Sequence, residues 1–148
     1  MVAYDGSDQA SAALYEAASW LQGEGNKIVI AAVVELYNKK NFFNMLRVDF
    51  DFQILDDANE QMLERTRDLL ASVKSMLEEK NPHLNIVTVA RTGEPREELV
   101  KIAIEYNADA VVVGSRGLGK VERAVLGSVS NYLVNNCPCS VFVVRNKA

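Results

Sequence analysis

The sequence is poor in cysteine, histidine and proline, and this scarcity excludes two common ways of stabilising a small protein. Its 148 residues include two cysteines, one histidine and three prolines. Cys137 and Cys139 are separated by one residue, a spacing that disfavours a native disulfide and suits a reducing compartment. Two thiols and one histidine are also too few ligands for a structural zinc site. We therefore predict no disulfide framework and no metal-binding residues.

Long apolar runs and dense basic segments are missing as well. No stretch approaches about 18 uninterrupted apolar residues, and the opening MVAYDGSD lacks the charged and apolar regions of a signal peptide. The net charge is −4 and the lysines and arginines are dispersed, whereas a nucleic-acid-binding protein must neutralise several phosphates together. We therefore expect a cytoplasmic protein with neither a membrane nor a nucleic acid as its partner.

The sequence does contain enough apolar material for one hydrophobic core. Hydrophobic residues make up 49% of the chain and charged residues 24%, which is ordinary for a globular protein. A chain of this length buries roughly 70% of its unfolded surface when it folds. We therefore expect residues 1–148 to form a single domain.

Short apolar runs alternate with helical patterns along the chain. The strand patterns lie at residues 2–4, 28–34, 86–90, 110–113 and 141–144. Helical patterns follow at residues 10–21, 52–80, 95–106 and 128–136. The apolar stripe of the long second helix is predicted to run through Leu55, Ala58, Met62, Thr66, Leu69, Val73 and Met76. This alternation predicts an open parallel sheet with right-handed crossovers and helices on both faces, an α/β fold.

Residues 36–51 have no clear period but contain several phenylalanines. We interpret this segment as an ordered excursion that packs over a neighbouring surface.

Ligands in open parallel sheets bind beyond the carboxyl ends of strands, where the strand order reverses. Asp5 after the first strand and the loop after Val113 are the candidates, although Asp5 also suits a simple turn before a helix. The loop is rich in glycine, which lets backbone N–H groups approach a phosphate closely. Gly127 and Ser128 then open a predicted helix, whose N-terminus favours an anion.

The loop sequence partly matches two familiar nucleotide-binding motifs but completes neither of them. Gly119 and Lys120 stand at Walker A spacing from Gly114, but Val121 occupies the position that requires Ser or Thr. The third glycine of a dinucleotide-binding motif would fall at Glu122. We therefore predict neither a P-loop NTPase nor a dinucleotide-binding domain.

The spacing G-x2-G-x9-G-S from Gly114 resembles that of the ATP-binding branch of the universal stress protein family. The opening VAYDGS, the segment TGEP from Thr92 and the ending CPCSVFVV from Cys137 extend this resemblance over essentially the whole chain. The resemblance implies a five-stranded parallel sheet in the order 3-2-1-4-5, of the adenine-nucleotide alpha-hydrolase-like type. The first and fourth strands are neighbours in that order, which agrees with the expected ligand position.

The resemblance also implies a nucleotide site, and we assign no catalytic residue to the chain. Asp5 would reach the adenine or ribose, Val33 would flank the base, and the loop would hold ribose and phosphates. The predicted nucleotide-binding residues are Ala3, Asp5, Val33, Val113, Gly114, Arg116, Gly117, Gly127, Ser128, Val129 and Ser130. The implied ligand is ATP, with AMP or ADP as alternatives, and Mg²⁺ is a possible companion of the nucleotide.

The last strand pattern predicts a contact between two copies of the chain. It consists of Val141, Phe142, Val143 and Val144. An apolar strand at the edge of a sheet invites pairing with another chain. The resemblance implies the same outcome, a two-fold homodimer joined edge to edge.

These features favour an ATP-binding regulatory or signalling protein, and the link to stress response comes wholly from the resemblance. One alternative is a slow ATPase or a protein that phosphorylates itself at Ser128 or Ser130, for which the sequence offers no convincing base beyond Asp5. Another is a dimeric adaptor that does not depend on ATP and presents residues 36–51 to its partner.

Overall fold

The computed structural model describes residues 1–21, 23–36, 52–118 and 126–145. Strands and helices alternate in the order β1 (Val2–Ala3), α1 (Asp8–Trp20), β2 (Lys27–Val34), α2 (Phe52–Lys80), β3 (Asn85–Thr92), α3 (Pro95–Glu105), β4 (Ala110–Gly114), α4 (Ser128–Asn136) and β5 (Ser140–Val144). Most of the predicted segment 36–51, and the loop positions Gly119 to Val125, lie outside the described residues. No helix of the described ranges is long and apolar enough to cross a bilayer.

The strands form one five-stranded sheet in the order β3-β2-β1-β4-β5, and every pairing is parallel. The predicted fold class and strand order are therefore confirmed. The central strand β1 is only two residues long, and Val2 stands opposite both Ile30 of β2 and Val112 of β4. The strand order reverses between β1 and β4, which makes their carboxyl ends the switch point of the sheet.

Apolar side chains on the two faces of the sheet build two cores. Successive side chains of a strand point to opposite faces, and accordingly Ile28 and Ile30 belong to one core while Val29 and Ala31 belong to the other. The first core contains α1 and α2, and the second contains α3 and α4. Helices therefore cover both faces, which explains why the central strands are apolar throughout.

The buried stripe of α2 differs from the predicted stripe in its second half. The prediction placed Leu69 and Met76 on the buried face, but Leu70 and Leu77 are the buried residues there, together with Val73. Leucines stand at both 69 and 70, and neighbouring helix positions lie only about 100° apart around the axis. Apolar character alone therefore did not distinguish the two positions, and packing against the sheet selected Leu70.

Candidate functional site

A cavity of about 650 Å³ lies at the carboxyl ends of the central strands. This volume falls within the roughly 300–1,000 Å³ that is typical of small-molecule sites. The structure brings every predicted site residue to the wall of this cavity: Ala3, Asp5, Val33, Val113, Gly114, Arg116, Gly117, Gly127, Ser128, Val129 and Ser130. Residues far apart in sequence therefore meet at the switch point of the sheet.

The carboxylate of Asp5 accepts two backbone hydrogen bonds at the mouth of this cavity. Oδ1 accepts from the N–H of Ser7 at 3.0 Å, and Oδ2 accepts from the N–H of Leu118 at 3.1 Å. The first bond shapes the turn into α1, and the second ties the glycine loop to the end of β1. Asp5 is therefore a turn residue and a cavity residue together, so the two interpretations of the sequence do not compete.

Two glycines of the loop occupy positions where a side chain would meet other atoms. A Cβ at Gly114 would lie 2.9 Å from the backbone carbonyl carbon of Gln9. A Cβ at Gly117 would collide with Oδ2 of Asp5. The glycine spacing in the sequence therefore follows from the close approach of α1 and Asp5 to this loop.

Helix α4 begins at the cavity without a capping side chain. Its N-cap is Gly127, which has no side-chain cap hydrogen bond, whereas the hydroxyl of Ser7 caps α1. Gly127, Ser128 and Val129 all line the cavity. The first N–H groups of a helix lack partners within the helix, and the helix dipole is positive at this end. The start of α4 is therefore suited to receive an anionic group.

Ser115, which is only 4% exposed, connects the loop to three other elements. Its N–H donates to the carbonyl oxygen of Val144 at 2.8 Å, and its hydroxyl donates to Oε1 of Gln9 at 2.6 Å. Its carbonyl oxygen accepts from the N–H of Gly127 at 2.7 Å and from the hydroxyl of Ser130 at 3.0 Å. Ser130 lines the cavity but is 2% exposed, and its hydroxyl donates within the loop.

The charged residues of the described cavity wall are Asp5, Glu35 and Arg116. Two carboxylates and one guanidinium do not provide a strongly positive surface. An anion at this wall would therefore rely on backbone N–H groups more than on cationic side chains. Among the residues that the structure describes, no group of three or more His, Cys, Asp and Glu side chains could hold a metal ion.

Sequence reasoning missed part of the cavity wall. The additional lining residues are Tyr4, Ala10, Ala31, Glu35, Pro95, Leu99, Leu118 and Leu126. Some of them had a usable signal, since Ala31 and Glu35 follow the two-residue period of one strand face that also includes the predicted Val33. Pro95 and Leu99 likewise lie four residues apart on the first turns of α3. The predicted set favoured the glycine loop and therefore omitted the apolar residues that α3 contributes to the wall.

A parallel sheet covered on both faces, with a glycine-lined cavity at its switch point, defines a doubly wound α/β protein. Comparison with known proteins gives the family. The model of the universal stress protein family matches residues 1–145. The chain belongs to the universal stress protein family, and the resemblance drawn from its glycine spacing is confirmed.

One relative in sequence and two solved structures illustrate the similarity. A universal stress protein of Thermus aquaticus is 30% identical over 98% of this chain and 96% of its own length. The structure of UspA from Lactobacillus plantarum has a TM-score of 0.76 and 25% identity, over 97% of this chain and 94% of that one. The hypothetical protein MJ0577 has a TM-score of 0.82 at 20% identity, over 99% and 94% of the two chains.

Two further structures of similar fold carry adenine nucleotides. A universal stress protein in complex with cAMP has a TM-score of 0.61 and 22% identity, over 99% of this chain and 95% of that one. A family member from Arabidopsis thaliana with AMP bound has a TM-score of 0.56 and 20% identity, over 100% and 91%. At these identities the likeness shows a common fold.

Proposed function

We propose that this protein binds an adenine nucleotide, ATP in the first place, in the cavity at the switch point. The observation that carries the proposal is the start of α4, which has no capping side chain and lines a cavity of about 650 Å³. A helix N-terminus of this kind favours phosphate groups. The rest of the wall is largely apolar, which suits a purine base.

Each part of the nucleotide has a matching part of the wall. The base would lie against the apolar residues around Val33 and Leu99, and Asp5 would accept hydrogen bonds from the ribose or the adenine amino group. The phosphates would lie against Gly117 and the start of α4. The family members solved with AMP and with cAMP support an adenine nucleotide as the class of ligand.

Mg²⁺ would enter together with the phosphates. Magnesium is commonly held by one or two carboxylates and by the phosphates of a bound nucleotide. Asp5 and Glu35 are the carboxylates of the described wall. The residues present therefore fit a nucleotide–magnesium complex better than a resident metal ion.

The function that follows is regulatory, with nucleotide occupancy changing how the chain presents its surface to partners. The protein would act as a homodimer in which the β5 edges of two copies meet. β5 pairs with β4 on one side, and its Phe142 side chain is 46% exposed. An apolar edge strand is a natural surface for pairing with another chain.

Calorimetric titration with ATP–Mg²⁺, AMP and cAMP tests the site. Asp5→Ala removes the acceptor for the Leu118 N–H and for the ligand, and Gly127→Val adds bulk at the start of α4. We expect Asp5→Ala to weaken ATP binding by about tenfold or more, since hydrogen bonds to a charged group contribute about 1.5–3 kcal/mol. Gly127→Val should weaken binding as well, because its side chain would obstruct the start of α4. Circular dichroism should show that both variants remain folded, because Asp5 is exposed and the backbone of Gly127 has a negative φ that valine adopts.

Asp8→Ala is the matched control, because Asp8 is an exposed carboxylate in the first turn of α1 and does not line the cavity. It should bind ATP like the parent. The site assignment is wrong if Asp5→Ala and Gly127→Val also bind like the parent. If the protein binds AMP or cAMP but not ATP, the proposed ligand is wrong and the proposed site still stands. Phosphate release above a denatured control would support the slow ATPase instead.

A further inference from the structure

Gln9 reaches from the first turn of α1 to the glycine loop that follows β4. Its side-chain Oε1 accepts a hydrogen bond from the hydroxyl of Ser115 at 2.6 Å and another from the backbone N–H of Arg116 at 2.8 Å. The bonded residues are 106 and 107 positions away in sequence. One amide oxygen therefore joins the beginning of the chain to the loop of the proposed site.

The backbone of Gln9 is itself held firmly against the end of β4. An added Cβ at Gly114 would lie 2.9 Å from its carbonyl carbon and 3.0 Å from its carbonyl oxygen. The next residues of α1 on the inner face, Ala10 and Ala13, are fully buried. The side chain of Gln9 therefore extends from a fixed point, and its oxygen has little freedom to move away from the loop.

Ser115 transmits this constraint to the start of α4. Its carbonyl oxygen accepts from the N–H of Gly127 and from the hydroxyl of Ser130. Ser130 and Ser115 are both buried, so these bonds are shielded from water. A shift of the Ser115 peptide would move the N-cap of α4, and with it the N–H groups that line the cavity.

We infer that Gln9 is a positioning residue for phosphate binding, which it serves by holding Ser115 and Arg116 so that the first N–H groups of α4 face the phosphates. The inference rests on the proposed function. Gln9 does not line the cavity, so it acts through the loop and not by touching the nucleotide.

Gln9→Met tests this role because methionine keeps the length of the side chain and removes the acceptor oxygen. We expect its affinity for ATP to fall by about tenfold, the equivalent of one lost hydrogen bond of ordinary strength. Its affinity for adenosine, which has no phosphate, should remain close to that of the parent. Gln61→Met is the matched control, since Gln61 is exposed on α2 and does not line the cavity.

Amide hydrogen exchange on the ligand-free protein provides a second readout. Exchange of the Gly127 amide should become about tenfold faster in Gln9→Met if the loop loses its tether. Gln9→Glu should restore slow exchange, because a carboxylate oxygen can accept both hydrogen bonds.

The proposed function and the role of Gln9 are contradicted by different results. A parent protein that binds neither ATP nor adenosine overturns the proposed function, and the phosphate-positioning role with it. A parent that binds ATP, together with a Gln9→Met variant that binds ATP equally well, overturns only the role of Gln9. Equal losses of ATP and adenosine affinity in Gln9→Met would assign Gln9 to general stability and would also overturn that role.

Discussion

At the residue scale, the thiol of Cys137 illustrates how position controls reactivity. Burial, helped by the neighbouring charge and hydrogen bond of Cys139, raises the pKa of Cys137 from 9.0 to about 11. The thiolate is the reactive form of cysteine. At pH 8 the folded protein therefore holds about a hundredfold less Cys137 thiolate than an unperturbed cysteine would.

We expect iodoacetamide to alkylate Cys137 slowly in the folded protein, at a rate that rises with pH until about pH 11. The measurement uses Cys139→Ser, in which Cys137 is the sole cysteine. Because burial is the main cause of the shift, the midpoint should stay above 9.0 in this variant. The same variant in urea is the control and should react at the rate of a free cysteine. A folded-state midpoint at or below 9.0 would contradict the prediction.

At the element scale, the contact between α1 and the end of β4 limits what residue 114 can be. Gly114→Ala would place a Cβ 2.9 Å from the backbone of Gln9, and backbone atoms cannot rotate away as a side chain can. We expect a loss of about 1–3 kcal/mol in the free energy of unfolding, as for other overpacked sites. Urea denaturation measures it. Gly127→Ala, whose Cβ would be no closer than 3.4 Å to its neighbours, should lose less; equal losses would argue against this account.

The two adjacent leucines of α2 offer a matched pair for testing its buried face. Leu70 is 1% exposed and Leu69 is 38% exposed. Leu70→Ala should therefore lower the free energy of unfolding by about 2–5 kcal/mol, and Leu69→Ala by about 1 kcal/mol or less. Both substitutions change helix propensity equally, so the difference reports burial. A larger loss of unfolding free energy in Leu69→Ala than in Leu70→Ala would support the buried stripe that was predicted from the sequence.

The elements that the sequence predicted well are those whose pattern has one interpretation. Helix α4 was predicted at about residues 128–136, and the structure has it at Ser128–Asn136, because Gly127 and Ser128 mark the start of a helix. The strand order came from the family resemblance, and alternation alone gave only the parallel sheet. The role of Gln9 could not be predicted, because its partners lie more than a hundred residues away and glutamine at the start of a helix carries no distinctive signal.

At the scale of the whole molecule, the proposed dimer places two β5 edges together. Phe142 packs its ring against Trp20 with centroids 5.0 Å apart, and both rings remain about half exposed. Phe142→Lys should weaken association by at least about tenfold, because aromatic residues commonly dominate interface energies. Sedimentation velocity over a range of concentrations measures this. Ile104→Lys, an equally drastic change at an exposed site on α3, is the control. A monomeric parent, or a Phe142→Lys variant that stays dimeric, would contradict the proposed interface.

The position of the two-residue central strand β1 also determines when the sheet can assemble during translation. Val2 pairs with Ile30 and with Val112, so a ribosome must synthesise Val112 before β4 can join β1, β2 and β3 in the sheet. Until then β1 lacks its β4 neighbour, and an unpaired strand edge is the kind of surface that aggregates or engages chaperones. The cavity needs residues from Ala3 to Ser130. The proposed nucleotide could therefore stabilise a nascent chain only after Ser130 has been synthesised.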